Sequence, residues 1–268
     1  MNKFLIFASP RTGSSNLTKT IGSLYNSQNN ILHTYIGEPF GGRNLTRWHK
    51  RIVAQASPEL QLTYKNKLSK ESLNESQIIE VLDICYKNSY GIKHLHTHLP
   101  VENNQRLLKY AMENRYKIIY LTRDSHALKD VSVQLAKQTG AWSKKEMSKI
   151  KEATWSYQDI DIEDLKSRVH WNKKSGNHYK KLVGNYDMYS VSYEQIFCRD
   201  NQLNEFYKIM DYLEIDKGEL SMSKFHANMD DDKKQTTSEI YSKIPNIKDV
   251  IQFAKDEYDE DISSVILG

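Results

Sequence analysis

The chain has 268 residues, of which 38% are hydrophobic and 27% charged, with a formal net charge of +4. That length accommodates one large domain with a sizeable core. No apolar run approaches the roughly 20 residues that a membrane-spanning helix needs, and so mild a positive charge argues against a nucleic-acid partner while suiting a small polyanionic ligand.

The first apolar run, Phe4–Ala8, stops at Pro10-Arg11. It is too short for the core of a secretory signal and reads as a buried strand, which points to a cytoplasmic protein. Further β-rich runs follow at Ile31–Tyr35, Tyr90–Leu95, Lys117–Thr122 and Met188–Ser192. Between them, Ser15–Tyr25, Ser76–Tyr86, Glu102–Asn114, His126–Gln138, Asp161–Val183, Leu203–Leu213 and Ile247–Tyr258 carry apolar residues at helical spacing. The alternation predicts an α/β fold, a P-loop-like three-layer sandwich with a mostly parallel central sheet flanked by helices. Residues 41–73 and 140–178 do not fit it and read as helical insertions in a single domain spanning 1–268, since no repeat or Gly/Ser linker marks a boundary. Cys85 and Cys198, far apart, make neither a disulfide framework nor a metal cluster.

Strand Phe4–Ala8 leads into Ser9-Pro10-Arg11-Thr12-Gly13-Ser14-Ser15-Asn16 and then a helix. In a strand–turn–helix of this kind the backbone N–H groups of the first helical turn point toward an incoming anion. Gly13 permits close approach, Ser14 and Ser15 add hydroxyls, and Arg11 adds a permanent charge with a donor fork suited to phosphate or sulfate oxygens. A Walker A loop would carry lysine after the glycine, and a dinucleotide fingerprint would read GxGxxG; neither is present.

A second candidate for phosphate binding lies after strand Lys117–Thr122, where Arg123 is followed nine residues later by Ser132 on a helix and then by Thr139-Gly140-Ala141-Trp142. Parallel strands deliver their C-terminal ends to one edge, where ligands bind. With Ser9 to Leu17 and Gly37-Glu38-Pro39-Phe40, the segment Leu121 to Trp142 resembles the sulfotransferases that use 3′-phosphoadenosine 5′-phosphosulfate (PAPS), and among them the bacterial carbohydrate sulfotransferases of the trehalose and nodulation-factor type. The Arg-to-Ser spacing is one residue longer than in the animal cytosolic enzymes. The resemblance implies PAPS as co-substrate and no metal. By position it assigns Arg11 to the bridging oxygen and the moving sulfuryl group, and Thr12, Gly13, Ser14, Ser15 and Asn16 to the 5′-phosphate. Arg123 and Ser132 would hold the 3′-phosphate, with Lys233-Lys234-Gln235 similar to a basic segment that closes over it.

Sulfuryl transfer to a hydroxyl needs a base at the acceptor. The resemblance offers two candidates: Glu38 matches the catalytic glutamate of the bacterial enzymes, and His98, in Thr97-His98-Leu99-Pro100, is similar to the catalytic histidine segment of the cytosolic ones. Glu38 is the favoured of the two. Alternation along a strand would set His94, His96 and His98 on one face, the geometry of a metal site, yet no carboxylate or cysteine lies nearby to complete the shell, so structural histidines are the preferred reading. The acceptor is expected to be a small molecule or glycan, with Trp48, Trp142, Trp155 and Trp171 as faces for sugar rings. Homodimer formation is left open. Two alternatives remain at this stage, a P-loop-type small-molecule kinase and a non-catalytic nucleotide-binding protein.

Overall fold

The computed structural model of the chain describes residues 2–25, 33–41, 52–65, 73–141, 156–197, 201–229 and 238–267. In chain order the elements are β1 (Phe4–Ala8), α1 (Ser14–Leu24), β2 (His33–Gly37), α2 (Pro58–Lys65), α3 (Glu75–Asn88), β3 (Ser89–Leu95), α4 (Val101–Glu113), β4 (Lys117–Thr122), α5 (His126–Thr139) and α6 (Ile162–Val183). There follow β5 (Met188–Ser192), α7 (Tyr193–Phe197), α8 (Gln202–Leu213), α9 (Met222–Met229), α10 (Ser238–Ser242), α11 (Ile247–Tyr258) and α12 (Ser263–Leu267). Short 3₁₀ turns span His96–His98 and Lys217–Glu219.

Among the described residues five strands form one sheet in the order β2-β3-β1-β4-β5, every pair parallel. The expected α/β architecture is therefore present, with a sheet that is entirely rather than mostly parallel, flanked by helices and consistent with a three-layer sandwich. Parallel strands need crossover connections, and the amphipathic helices between them supply these. The second strand runs two residues further than the sequence predicts, because Ile36 and Gly37 pair with Ile92 and Lys93 of β3. Cross-strand pairing overrides the low strand propensity of glycine there.

The described residues fall into two compact units, one comprising Met1–Thr122 with Leu182–Met229, the other Arg123–Lys181 with Asp230–Gly268. In the first, the pleat of β1 distributes side chains to both faces of the sheet. Phe4, Ile6 and Ala8 pack with Leu17, Ile21 and Leu24 of α1, Phe206, Ile209 and Met210 of α8, and Phe225 and Met229 of α9. Phe7 lies against His94, His96 and Tyr120, with ring centroids 5.7 to 6.1 Å apart. Cys85 is a buried free thiol whose pKa is pushed up by burial, which suppresses the nucleophilic thiolate. The second unit has its own core, in which Ala127, Leu128, Val131 and Leu135 of α5 meet Val250, Phe253 and Ala254 of α11 and Ile262 and Ile266 near the chain end.

One close approach in the first core makes a direct test of its packing. A Cβ added to Gly91 on β3 would stand only 2.1 Å from Cζ of Phe4 on β1, and Phe4 is itself fully buried and held against Tyr25. Gly91→Ala is expected to lower stability by about 1–3 kcal/mol, read as a lower denaturation midpoint in urea, because a filled core cannot take an extra methyl without displacement.

The insertion expected at 41–73 contains α2, and that at 140–178 contains most of α6. Trp48, Trp142 and Trp155 lie outside the described residues. Trp171 stands on α6 with 52% of its surface exposed. Among the described residues no helix is long and apolar enough to cross a membrane.

Candidate functional site

The register sets Ala8 of β1 opposite Leu95 of β3 on one side and Leu121 of β4 on the other, so the three central strands end within one residue of each other. At this edge the connection leaving β1 runs toward β2 and the one leaving β4 runs away to β5, a reversal of direction that marks where ligands bind in parallel α/β sheets.

The Ser9–Asn16 loop springs from this point. Ser9 N–H donates to Leu121 O at 3.1 Å, carrying the β1–β4 pairing one residue past the strand. The fully buried Thr12 turns its hydroxyl back to donate to Ser9 O at 2.8 Å, which closes the loop on itself. Arg11 and Gly13 both take left-handed backbone conformations, with φ of 63° and 71°. Gly13 is the N-cap of α1, and its carbonyl accepts from Asn16 N–H and Leu17 N–H at 2.9 and 3.1 Å. No side chain caps this helix start and its first turn holds no acidic residue. The positive end of the helix dipole is thus opposed by no carboxylate of its own first turn. Ser14 is buried, Ser15 exposed and Asn16 intermediate.

Lys93 on β3 joins this loop to Glu38. Its residue is 6% exposed, and Nζ donates to Ser15 Oγ at 2.9 Å while forming an ion pair with Glu38 Oε1. Glu38 follows β2 directly. Its N–H donates to Lys93 O at 2.7 Å, its carbonyl accepts from Gly41 N–H at 2.8 Å, and its φ is 53°. Tyr64 of α2 secures the same turn by donating to Pro39 O at 2.9 Å. The non-glycine residues of positive φ elsewhere among the described residues, Arg115, Glu214 and Asp259, all sit just past helix ends, where that conformation is common. Arg11 and Glu38 adopt it after strands instead. Such strain, of order 1–3 kcal/mol each, gathers at functional sites.

Lys93 was not among the residues singled out from the sequence. A lysine between Ile92 and His94 in a strand with apolar neighbours was the available signal, since lysine is almost never fully buried without a partner.

The histidines depart from the expected strand alternation. β3 ends at Leu95 and His96–His98 coil into a 3₁₀ turn, so strand alternation does not run through all three histidines, although the His94 and His98 rings meet edge-on with centroids 6.2 Å apart. Asn104 of α4 causes this turn: its Nδ2 donates to the carbonyls of His96 and Leu99 at 2.8 and 3.0 Å, while its Oδ1 bonds His94 Nε2 at 2.8 Å. His96 Nε2 shares a 2.9 Å hydrogen bond with Ser9 Oγ at the mouth of the loop. A Cβ built on Gly41 would stand 3.1 Å from Glu38 Cβ and 3.2 Å from His98 Cε1, so both candidate bases border one glycine. Among the described residues no group of three or more His, Cys, Asp or Glu is arranged to hold a metal ion.

Arg123 and Ser132 belong to the second unit, Arg123 half-buried just past β4 and Ser132 buried on α5. Around them Glu260 caps α5, accepting from Ser125 Oγ, His126 N–H and Ala127 N–H at 2.8, 2.9 and 3.2 Å. One turn before Ser132, buried Lys129 donates to Asn172 Oδ1 at 2.9 Å, and burial holds its ammonium below the usual lysine range. Asp130, which accepts from Tyr258 Oη at 3.1 Å, is held above the usual carboxylate range by the same cause. Lys233 and Lys234 lie outside the described residues.

Fold and site together define a parallel α/β protein with a strand–loop–helix at the switch point and a lysine–glutamate pair beside it. No protein-family model matches the chain, and no curated protein sequence matches it significantly.

Proposed function

We propose that the chain is a sulfotransferase that moves the sulfuryl group of PAPS to a hydroxyl of a carbohydrate or other small acceptor, without a metal. The observation that carries the reading is the convergence of an uncapped helix start, the Ser9–Asn16 loop and the Lys93–Glu38 pair at the C-terminal edge of one parallel sheet. Anion-binding and proton-accepting groups are thereby neighbours, as an in-line displacement requires.

In this reading the acceptor oxygen attacks sulfur, the bond from sulfur to the bridging oxygen of the 5′-phosphate breaks, and adenosine 3′,5′-bisphosphate leaves. Glu38 takes the hydroxyl proton. Arg11 and the first-turn N–H groups of α1 stabilise the negative charge that develops on the departing phosphate. Arg123 and Ser132 bind the 3′-phosphate. The resemblance of Ser9–Leu17, Gly37–Phe40 and Leu121–Trp142 to bacterial carbohydrate sulfotransferases supports each assignment. His98, on the same glycine as Glu38, is the second candidate for the base. Loss of turnover in Glu38→Gln with retention in His98→Asn would assign the proton to Glu38, and the reverse pattern to His98.

The decisive test is calorimetric titration with adenosine 3′,5′-bisphosphate, using 5′-AMP as the control that lacks the 3′-phosphate. Binding at least tenfold tighter for the bisphosphate is expected, and Arg123→Ala should remove most of that difference by deleting a charge-assisted contact. Preference for ATP with Mg²⁺ would point to a kinase. Bisphosphate binding with no sulfated product across an acceptor screen would point to a binding protein.

A further inference from the structure

Lys93 offers one buried ammonium with three donor protons, and it contacts two different parts of the site. One contact goes to Ser15 Oγ in the first turn of α1, the other to the Glu38 carboxylate at the end of β2. The strand holds its backbone: Lys93 O accepts from Glu38 N–H at 2.7 Å, and Lys93 pairs with Ile6 of β1 and Gly37 of β2. With the residue only 6% exposed, the ammonium cannot swing into solvent and must divide itself between what lies on either side.

We propose that Lys93 is shared between Glu38 and the anion received by the loop, so that filling the loop loosens the ion pair and frees the Glu38 carboxylate for the acceptor hydroxyl. This rests on the functional reading above. A phosphate or sulfuryl oxygen arriving beside Ser15 brings negative charge within reach of Nζ and competes with Glu38 for it. Coupling of this kind is reciprocal: whatever the anion takes from the ion pair, the ion pair takes from anion affinity. Lys93 is therefore a positioning residue. It transfers no proton, and it withholds the base until the donor is in place.

The test is a double-mutant cycle on the full chain with inorganic sulfate as the probe. Glu38→Gln removes the competitor and is expected to tighten sulfate binding about tenfold, whereas Lys93→Met should weaken it by a similar factor. In the Lys93→Met background, Glu38→Gln should have no effect. Additive effects would overturn the proposal, as would unchanged, weaker or undetectable sulfate binding in Glu38→Gln, which keeps the test valid even if Lys93→Met fails to fold. In turnover assays Lys93→Met should lower kcat about 10²-fold with a smaller change in the donor KM, and Lys93→Arg should restore part of the rate. The sulfate cycle involves no transfer chemistry, so coupling without sulfated product would sink the sulfotransferase reading alone, and sulfated product with additive binding effects would sink the coupling alone.

Discussion

If the chain transfers a sulfuryl group as proposed, Arg11→Ala is expected to lower turnover by about 10²-fold or more, with the affinity for adenosine 3′,5′-bisphosphate changed far less. The asymmetry follows from where the charge is needed. Ground-state phosphate oxygens can be met by the backbone N–H groups of the first turn of α1, but the bridging oxygen acquires its negative charge only as the bond to sulfur breaks. A guanidinium held beside it strengthens its contact at that moment. The left-handed φ of 63° at Arg11 gives a reason to expect such placement, since the loop holds a costly backbone conformation at this residue. The measurement is steady-state kcat and donor KM for both proteins, with Arg11→Lys as the variant that keeps charge but loses the donor fork. Equal kcat in the alanine variant would remove Arg11 from the reacting centre.

Gly13→Ala is expected to cost about 2–4 kcal/mol of stability and to abolish anion binding, by two additive routes. The first is backbone: at φ 71° an alanine is strained whatever surrounds it. The second is contact, because a Cβ at Gly13 would fall on the ring edge of Phe197. Phe197 has little room to yield, being 3% exposed and stacked on Tyr193 at 4.9 Å between ring centroids. To accommodate the methyl, the chain would have to move Gly13 away, and the first turn of α1 moves with it. A urea denaturation midpoint and a sulfate titration would read both effects. Phe197→Leu in the same chain should recover part of the stability, leaving the backbone strain behind. A stable Gly13→Ala protein with normal anion binding would mean that the loop geometry is not what holds the ligand.

The two predictions differ in what could have been known in advance. Arg11 and Gly13 both belong to a loop that stands out in the sequence as a polar, serine-rich turn between an apolar strand and an amphipathic helix. Phe197 does not stand out. It lies 184 residues along the chain from Gly13, in a helix following the last strand, and only the folded sheet brings it to the loop. The histidine segment is the opposite lesson. Period-two alternation placed three histidines on one strand face, whereas Asn104, from the next helix, draws the last two out of the strand by bonding the carbonyls of His96 and Leu99.

What the sequence determined by itself was local: the positions of all five strands within two residues, the helices between them, and the strand–turn–helix at Ser9–Asn16. Those features follow from side-chain periodicity and from turn chemistry that glycine and proline impose on their immediate neighbours, so a short window contains the information. The strand order, the left-handed turn at Glu38, the core packing within each unit and the pairing of Lys93 with Ser15 and Glu38 were decided by tertiary structure alone. Lys93 meets Ser15 across 78 residues of chain and Ser9 meets His96 across 87. Partners so distant are chosen by sheet register and by the requirement that a buried charge find its counterpart, and neither of these is written in any local stretch of the chain.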